Sequence, residues 1–287
     1  MPETLIGLFP DVGASFFLSR LDGELGTYMG LMGHRLRARD IFYAGIGTHY
    51  VKSKKLPELE ERLARIQHKD YNAINKVLEE FVEPDVNASQ GKIYTYSMLK
   101  YTDVINRCFC FSTIEDIMGA LKRETDMQEW AVVTIEEMKK RSPTSLKVTL
   151  ELLRRGRNMS LKACLEMESQ VACRIIEGSD FREGVTELLV TKKRQPKWNP
   201  SRLDVVDLDK IQKKFFGPPD TDYSLAFPSD IDYILSPHRG FALPTDLEID
   251  YVCTRVLNYN YPGNIAKARL VSILVEKYGG KDGVIQK

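Results

Sequence analysis

Apolar residues recur at helical spacing along most of the chain, and capping residues mark where the periodic runs start and stop. In residues 112–121, Ser112 and Glu115 read as a capping box ahead of Ile114, Ile117, Met118 and Leu121, which share one helical face. Residues 127–140 form a second periodic run, and its closing cations Lys139, Lys140 and Arg141 suit the negative end of a helix dipole. Ser142 as cap and Pro143 at the first helical position open the next helix, which reaches about Arg155. Helices follow over 161–177, with Gly178 as the stop, and over 180–190 and 208–216. Upstream, residues 38–44, 56–66 and 71–82 predict a short helix and two charged amphipathic ones, and 49–51 an extended piece. Leu25, Tyr28 and Met29 are interleaved with Gly26 and Gly30, a composition that serves close packing better than intrinsic helix stability. Near the start, Asp11 occupies an N-cap position before a helix over 12–20 that turns Phe16, Phe17 and Leu18 inward.

One polar position interrupts an apolar face. Glu168 shares its side of the 161–177 helix with Leu161, Cys164, Leu165, Ala172 and Ile175, and the favoured reading is an ion pair with Arg174 or Arg182 that holds helices together.

The pattern changes after Phe216. Gly217-Pro218-Pro219 ends the preceding helix, and residues 217–243 are rich in Pro, Asp and Tyr without a sustained period. Asp220, Asp222, Asp230 and Asp232 alternate with Tyr223, Phe227, Tyr233 and Phe241, too aromatic a mixture for simple disorder, so the segment is expected to order against a surface. Thr245 with Glu248 then forms another capping box before Ile249, Val252, Cys253 and Val256, and a last helix aligns Ala266, Leu270, Ile273 and Leu274. Cations collect there as Arg255, Lys267, Arg269, Lys277, Lys281 and Lys287. Helices this short need a surface to bury their apolar faces, and that surface is expected to belong at least partly to another macromolecule. The chain is accordingly divided into residues 1–216 and an extension, 217–287.

Composition narrows the classes without choosing among them. The chain has 287 residues, 43% of them hydrophobic, and a net charge of +1, so no global field draws it to nucleic acid or membrane. No apolar run approaches the roughly 18 residues of a spanning helix. Five cysteines, Cys108, Cys110, Cys164, Cys173 and Cys253, lack metal or disulfide spacing and are read as free thiols in a reducing compartment, Cys108 and Cys110 as buried ones. His34, His49, His68 and His238 have no partners at metal-ligand spacing, and no metal is expected.

The candidate chemistry lies at the start. Met1-Pro2-Glu3-Thr4-Leu5-Ile6-Gly7-Leu8-Phe9-Pro10-Asp11-Val12-Gly13 places carboxylates Glu3 and Asp11 at rigid ends of an apolar run, although spacing alone favours a surface acid and a helix cap. These words resemble the signature of the 3-hydroxyisobutyryl-CoA hydrolase family, within the enoyl-CoA hydratase/isomerase (crotonase) superfamily. Thr48-His49-Tyr50-Val51, Asp103-Val104-Ile105-Asn106-Arg107-Cys108-Phe109, Ser142-Pro143-Thr144-Ser145-Leu146-Lys147, Asp180-Phe181-Arg182-Glu183-Gly184-Val185 and Pro196-Lys197-Trp198 resemble that family's later blocks in order, covering residues 1 to about 200.

The resemblance implies an α/β crotonase-like (ClpP/crotonase) fold, of which this chain is the mostly α-helical C-terminal portion plus a helical extension. In the family a β-rich segment precedes the Met-Pro-Glu block, binds CoA and supplies oxyanion-hole amides. That segment is absent here, so the chain is expected to be a fragment, split product or truncated paralogue. Its faces from Phe16 and Phe17 through Leu146 and Leu153 are then expected to lie bare. The implied activity is hydrolysis of the 3-hydroxyisobutyryl-CoA thioester in mitochondrial valine breakdown. Glu3 would serve as nucleophile or general base, Asp11 would orient the substrate hydroxyl or the water, and no cofactor is required beyond the CoA the substrate carries. The isolated chain is expected to be inactive, and a homo-oligomer or large assembly is expected. The resemblance also implies an alternative, since mitochondrial small ribosomal subunits contain members of this family as accessory proteins. For contacts with ribosomal proteins and rRNA, the candidates are the clusters Lys139-Lys140-Arg141, Arg154-Arg155-Arg157 and Lys192-Lys193-Arg194.

Overall fold

A computed structural model describes the chain except for residues 68–69, 83–85, 88–91, 219–224, 258–262, 280, 282 and 285–287, and except for the side chains of 86, 87, 92, 93, 256, 257 and 263–266. His68, Asp220, Asp222, Tyr223, Lys287 and the side chains of Val256 and Ala266 thus lie outside the described residues. The chain forms two compact units, residues 1–35 with 101–236 and residues 36–100 with 237–287. The described residues contain fourteen α-helices in chain order. In the first unit are α1 (Ala14–Leu18) and α2 (Leu25–Met32); in the second α3 (Arg39–Tyr43), α4 (Leu56–Ala64) and α5 (Tyr71–Phe81). The first unit resumes with α6 (Thr102–Phe109), α7 (Ile114–Arg123), α8 (Gln128–Lys139), α9 (Pro143–Gly156), α10 (Leu161–Ile176), α11 (Ser179–Val185) and α12 (Leu208–Phe216). The second closes with α13 (Asp246–Leu257) and α14 (Gly263–Lys277). Strand content among the described residues is one antiparallel ladder, β1 (Val86–Asn87) with β2 (Lys92–Ile93), in the register Val86 opposite Ile93.

The first unit closes a core of its own. Phe9, Val148, Leu152, Val171, Ile175, Ile211 and Phe215 are all buried between α9, α10 and α12, each contributing roughly 1.5–3 kcal/mol of apolar burial. A neighbouring cluster joins Ala14 and Leu18 of α1 to Leu153 of α9. The expectation that the faces from Phe16 to Leu153 lie bare is therefore corrected: Phe16, Leu146 and Leu153 are buried within this chain, because α1, α2, α9 and α10 cover one another. Phe17 is the exception; it turns outward at 36% exposure, since a helix this short has no room to bury three consecutive positions. Gly26 explains the close approach of α2 to α1, for a Cβ there would stand 1.8 Å from the Leu18 carbonyl oxygen.

Capping decides the helix starts. Ser142 accepts the Ser145 N–H at 3.0 Å, as its sequence position predicts. The box before α7 sits one residue later than expected: Thr113, in extended backbone, accepts the Asp116 N–H at 3.1 Å and its hydroxyl donates to Asp116 at 2.6 Å. Glu115 is released to pair with Lys147 at 2.6 Å. Past α12, the exposed carbonyls of Phe215 and Gly217 are taken by Gln170, and Arg174 also donates to Gly217 and Pro218. Residues 225–236 are irregular but anchored, with Tyr233 accepting the Leu161 N–H at 2.8 Å and Asp232 the Lys162 N–H at 3.0 Å.

The second unit gathers Phe42, Tyr43, Leu243, Val252, Leu274 and Val284 in one buried cluster, with Ile249, Leu270 and Ile273 packed on its edge. Residues 36–100 of the same chain thus supply part of the surface that α13 and α14 need, while Leu247 and Tyr251 of α13 stay exposed. Leu59, Val77 and Phe81 form a satellite between α4 and α5. Two acids fasten the unit. Asp40 accepts hydrogen bonds from Tyr94 at 2.8 Å and from the N–H and hydroxyl of Ser97 at 3.0 and 2.7 Å. The Thr245–Glu248 box forms as predicted, with reciprocal bonds of 2.9 and 3.1 Å.

Candidate functional site

The first thirteen residues are held from three sides. A single 3-10 turn, Glu3–Leu5, sets Glu3, whose carbonyl accepts the N–H groups of Ile6 and Leu8 at 3.0 and 2.9 Å. Thr4 is buried, donating its hydroxyl to the Leu31 carbonyl at 3.0 Å and accepting the Ser142 N–H at 3.1 Å. Next to this fixed residue, the Glu3 side chain has a buried Oε2 with no hydrogen-bond partner. An unpaired buried acceptor costs on the order of 1–3 kcal/mol, so its retention marks a position whose partner is not supplied by the described residues.

Asp11 does not cap α1. The cap position belongs to Gly13, in left-handed backbone at φ 89°, and the carboxylate of Glu168 replaces a capping side chain. Glu168 accepts the Gly13 N–H at 2.7 Å, the Ser15 N–H at 2.8 Å and the Ser15 hydroxyl at 2.5 Å. It is therefore not the partner of an arginine, contrary to the expectation from the apolar face of α10; neutral donors at the start of α1 satisfy it. Burial pushes the Glu168 carboxyl above the ordinary range, the bonds from Ser15 and Gly13 oppose that, and the nearby charge of Asp11 adds to it. Periodicity could flag Glu168 as odd, but only the fold brings Gly13 and Ser15 to it. Asp11 is half-buried and Val12 beside it is 88% exposed with φ 52°, so the turn carries Asp11 at the surface end of the loop.

Three of the later blocks that carry the resemblance, those at Ser142, Asp180 and Pro196, converge within the first unit. Asp180 accepts the Ser142 hydroxyl at 2.6 Å and the Asn199 N–H at 2.8 Å, and Trp198 donates to the Lys140 carbonyl at 3.0 Å. The basic clusters separate sharply by environment. Arg154 and Arg157 pair with Glu24 at 2.9 and 3.4 Å, and Arg155 with Glu151 at 2.6 Å, so that cluster is committed within the chain. Arg141 is buried against the carbonyls of Glu137 and Met32. Lys192, Lys193 and Arg194 are exposed.

The thiols are all free; Cys108 and Cys164 are buried, whereas Cys110 is exposed, a correction to its reading as buried. Burial and the adjacent Glu124 push Cys108 up to about 11, which keeps it a thiol. His49 bridges Thr48 and Glu79 at 3.0 and 3.1 Å. Among the described residues, no helix is long and apolar enough to cross a membrane.

Residues 1–216 match the enoyl-CoA hydratase/isomerase family. The chain belongs to that family, and its mostly helical architecture is a portion of the crotonase fold. It is similar to a carnitinyl-CoA dehydratase from Mycobacterium thermoresistibile, with 28% identity and a TM-score of 0.66 over 80% of this chain and 61% of the other. Its relatives include a mitochondrial 3-hydroxyisobutyryl-CoA hydrolase of Homo sapiens, 39% identical over 75% of this chain and 54% of the relative. They also include small ribosomal subunit protein mS47 of Neurospora crassa, 37% identical over 99% of this chain and 57% of the relative. The chain spans little more than half the length of the curated relatives it matches.

Proposed function

We propose that the chain is a 3-hydroxyisobutyryl-CoA hydrolase-like protein serving as a structural component of the mitochondrial small ribosomal subunit. The observation that carries this is the reach of the similarity. The human hydrolase is matched over 75% of the chain, whereas the ribosomal protein mS47 is matched over 99%, extension included. In the second unit residues of that extension pack into the hydrophobic cluster around Phe42 and Leu243, which supports reading it together with residues 36–100. The mitochondrial assignment rests on the human hydrolase. The test is sedimentation of the tagged protein from mitochondrial lysate. It should run with the small subunit and leave that fraction when the subunit is dismantled; a protein that stays at the top of the gradient beside soluble enzymes overturns the reading.

A second reading, thioester hydrolysis, is favoured by the buried and unpartnered Oε2 of Glu3. In it Glu3 either takes a proton from a water that attacks the thioester carbonyl, or attacks that carbonyl itself to form a mixed anhydride that water then hydrolyses. Asp11 orients the hydroxyl of the substrate or the water, and the C–S bond breaks with the proton taken from water passing to the sulfur, which releases acid and CoA thiol. The charge developing on the carbonyl oxygen needs amide donors, each worth about 100- to 1000-fold in rate. The expected result is background thiol release by this chain alone. Joined to the remaining part of its relatives' length, it should be active, and Glu3→Gln or Asp11→Asn should reduce turnover severely. Robust release by this chain alone overturns the expectation that it is inactive by itself, and full turnover of the joined Glu3→Gln form overturns the role given to Glu3.

A further inference from the structure

A cleft of about 1040 Å³ in the first unit is lined by residues from two of the basic clusters, Lys139 and Lys140 from one and Arg194 from the other. Its polar rim carries Arg35, Lys139, Lys140, Arg194 and Lys197 against one acid, Glu137. Lys139 is paired with Glu136 at 2.6 Å and Lys140 with Glu137 at 2.5 Å. Arg35, Arg194 and Lys197 are exposed, and among the described residues their side chains make no ion pair.

Cations at the end of a helix are ordinarily accounted for by its dipole and its free carbonyls. Here those carbonyls are already occupied. Arg141 takes the Glu137 carbonyl and Trp198 the Lys140 carbonyl. The same two side chains fix the geometry of the rim: Arg141 also holds the Met32 carbonyl, which sets the segment leading to Arg35, and Trp198 pins the segment bearing Arg194 and Lys197 to the end of α8. The Lys197 N–H donates to Glu183 at 2.7 Å, and Lys192 and Arg194 hold left-handed backbone at φ 57°. Two separate stretches of chain, one with Arg35 and one with Arg194 and Lys197, thus present unpaired cations around one cleft beside the paired lysines of α8. Like charges gathered without counter-charges repel, and a polyanion relieves that repulsion. The floor is apolar, from Leu5, Ile6, Leu188, Leu189 and Pro196, which suits sugars and bases lying beside their phosphates.

We infer that this cleft is a binding surface for the phosphodiester backbone of a single-stranded RNA segment. The inference deepens the ribosomal reading and rests on it for the identity of the RNA's source, but the site binds RNA as the free chain. The test uses a labelled single-stranded uridine oligonucleotide and the full chain. Arg35→Ala/Arg194→Ala/Lys197→Ala should weaken binding by about 10- to 100-fold at low salt and lower the slope of log affinity against log salt by roughly 2, at about 0.7 per phosphate contact on a single strand. Lys76→Ala/Lys122→Ala/Arg123→Ala removes the same charge from other exposed positions and should leave affinity within about threefold, the scale of nonspecific screening. Equal weakening in the two variants, or no binding by the parent chain, overturns the inference. Equimolar CoA should leave the oligonucleotide bound; displacement assigns the cleft to a nucleotide and also overturns it. Gradient sedimentation keeps the two readings apart. A cleft variant that has lost RNA affinity yet runs with the small subunit undiminished sinks the role of the cleft in ribosome binding and spares the ribosomal assignment, and RNA binding by a chain that never joins the subunit does the reverse.

Discussion

Two acids, one in each unit, show how differently this chain handles buried charge. Glu168 in the first unit meets only neutral donors, the N–H groups of Gly13 and Ser15 and the Ser15 hydroxyl, and burial raises its pKa. Glu79 in the second unit meets His49 at 3.1 Å and Lys281 at 2.7 Å, and hydrogen bonding from His49 leads the effects that pull it down to about 2. The first acid works as a cap borrowed from another helix, with no cation among the described residues to balance its charge. The second works as a counter-ion, joining α5 to the last residues of the chain. Partners, not burial alone, set the direction in which each carboxyl moves.

The comparison breaks most visibly at Glu168. Glu168→Ala leaves two buried N–H groups and a hydroxyl without an acceptor, at roughly 1–3 kcal/mol each and less than additively, so a loss on the order of 4 kcal/mol is expected in urea unfolding. Glu168→Gln keeps the shape and part of the acceptor capacity and should cost about half as much, near 2 kcal/mol. A loss below about 1 kcal/mol for the alanine form would show that α1 holds its place without this cap.

The second unit is sharpened next through Leu274, buried in the cluster with Phe42, Tyr43 and Val252. Leu274→Ala should destabilise the purified chain by about 2–4 kcal/mol, through lost transfer energy and the cavity left behind. An unchanged midpoint would mean that α14 is held by a partner outside the chain rather than by residues 36–100.

Much of this was legible in the sequence because the signals were local. Thr245 with Glu248, Ser142 before Pro143, and the faces of α7, α10 and α13 each depend on residues within one or two turns, and the helices sit within a residue or two of the expected limits. What was missed required contacts across long separations. Asp11 has the right composition for a cap, but the donors it was expected to satisfy go to Glu168, over 150 residues away. Arg154-Arg155-Arg157 and Lys192-Lys193-Arg194 look alike as sequence, and only the positions of Glu24 and Glu151 reveal that the first cluster is committed internally. The extension's apolar faces announced a need for a surface, yet nothing in their periodicity identified Phe42 and Tyr43 as its owners. Of the candidate site, the sequence placed Glu3 and Asp11 on one loop; the unpartnered Glu3 oxygen belongs to the fold.

The smallest expected effect is the most specific to the contrast between the acids. Glu79 has a folded pKa near 2, below its ordinary value of 4.5, so the stability it contributes is present above pH 4.5 and is lost as pH falls toward 2. Glu168 has a folded pKa above 4.5, so its contribution has the opposite sign: the fold loses stability as pH rises from 4.5 through the raised value. Because Glu79 is one-third exposed, solvent screening reduces its share to about 1–2 kcal/mol. Thermal melts followed across acidic pH should therefore show Glu79→Gln flattening the decline below pH 4.5 while leaving the higher range unaltered, and Glu168→Gln flattening only the higher range. If both substitutions flatten the same limb, the two carboxyls titrate in one environment, and the distinction between a cap and a counter-ion fails.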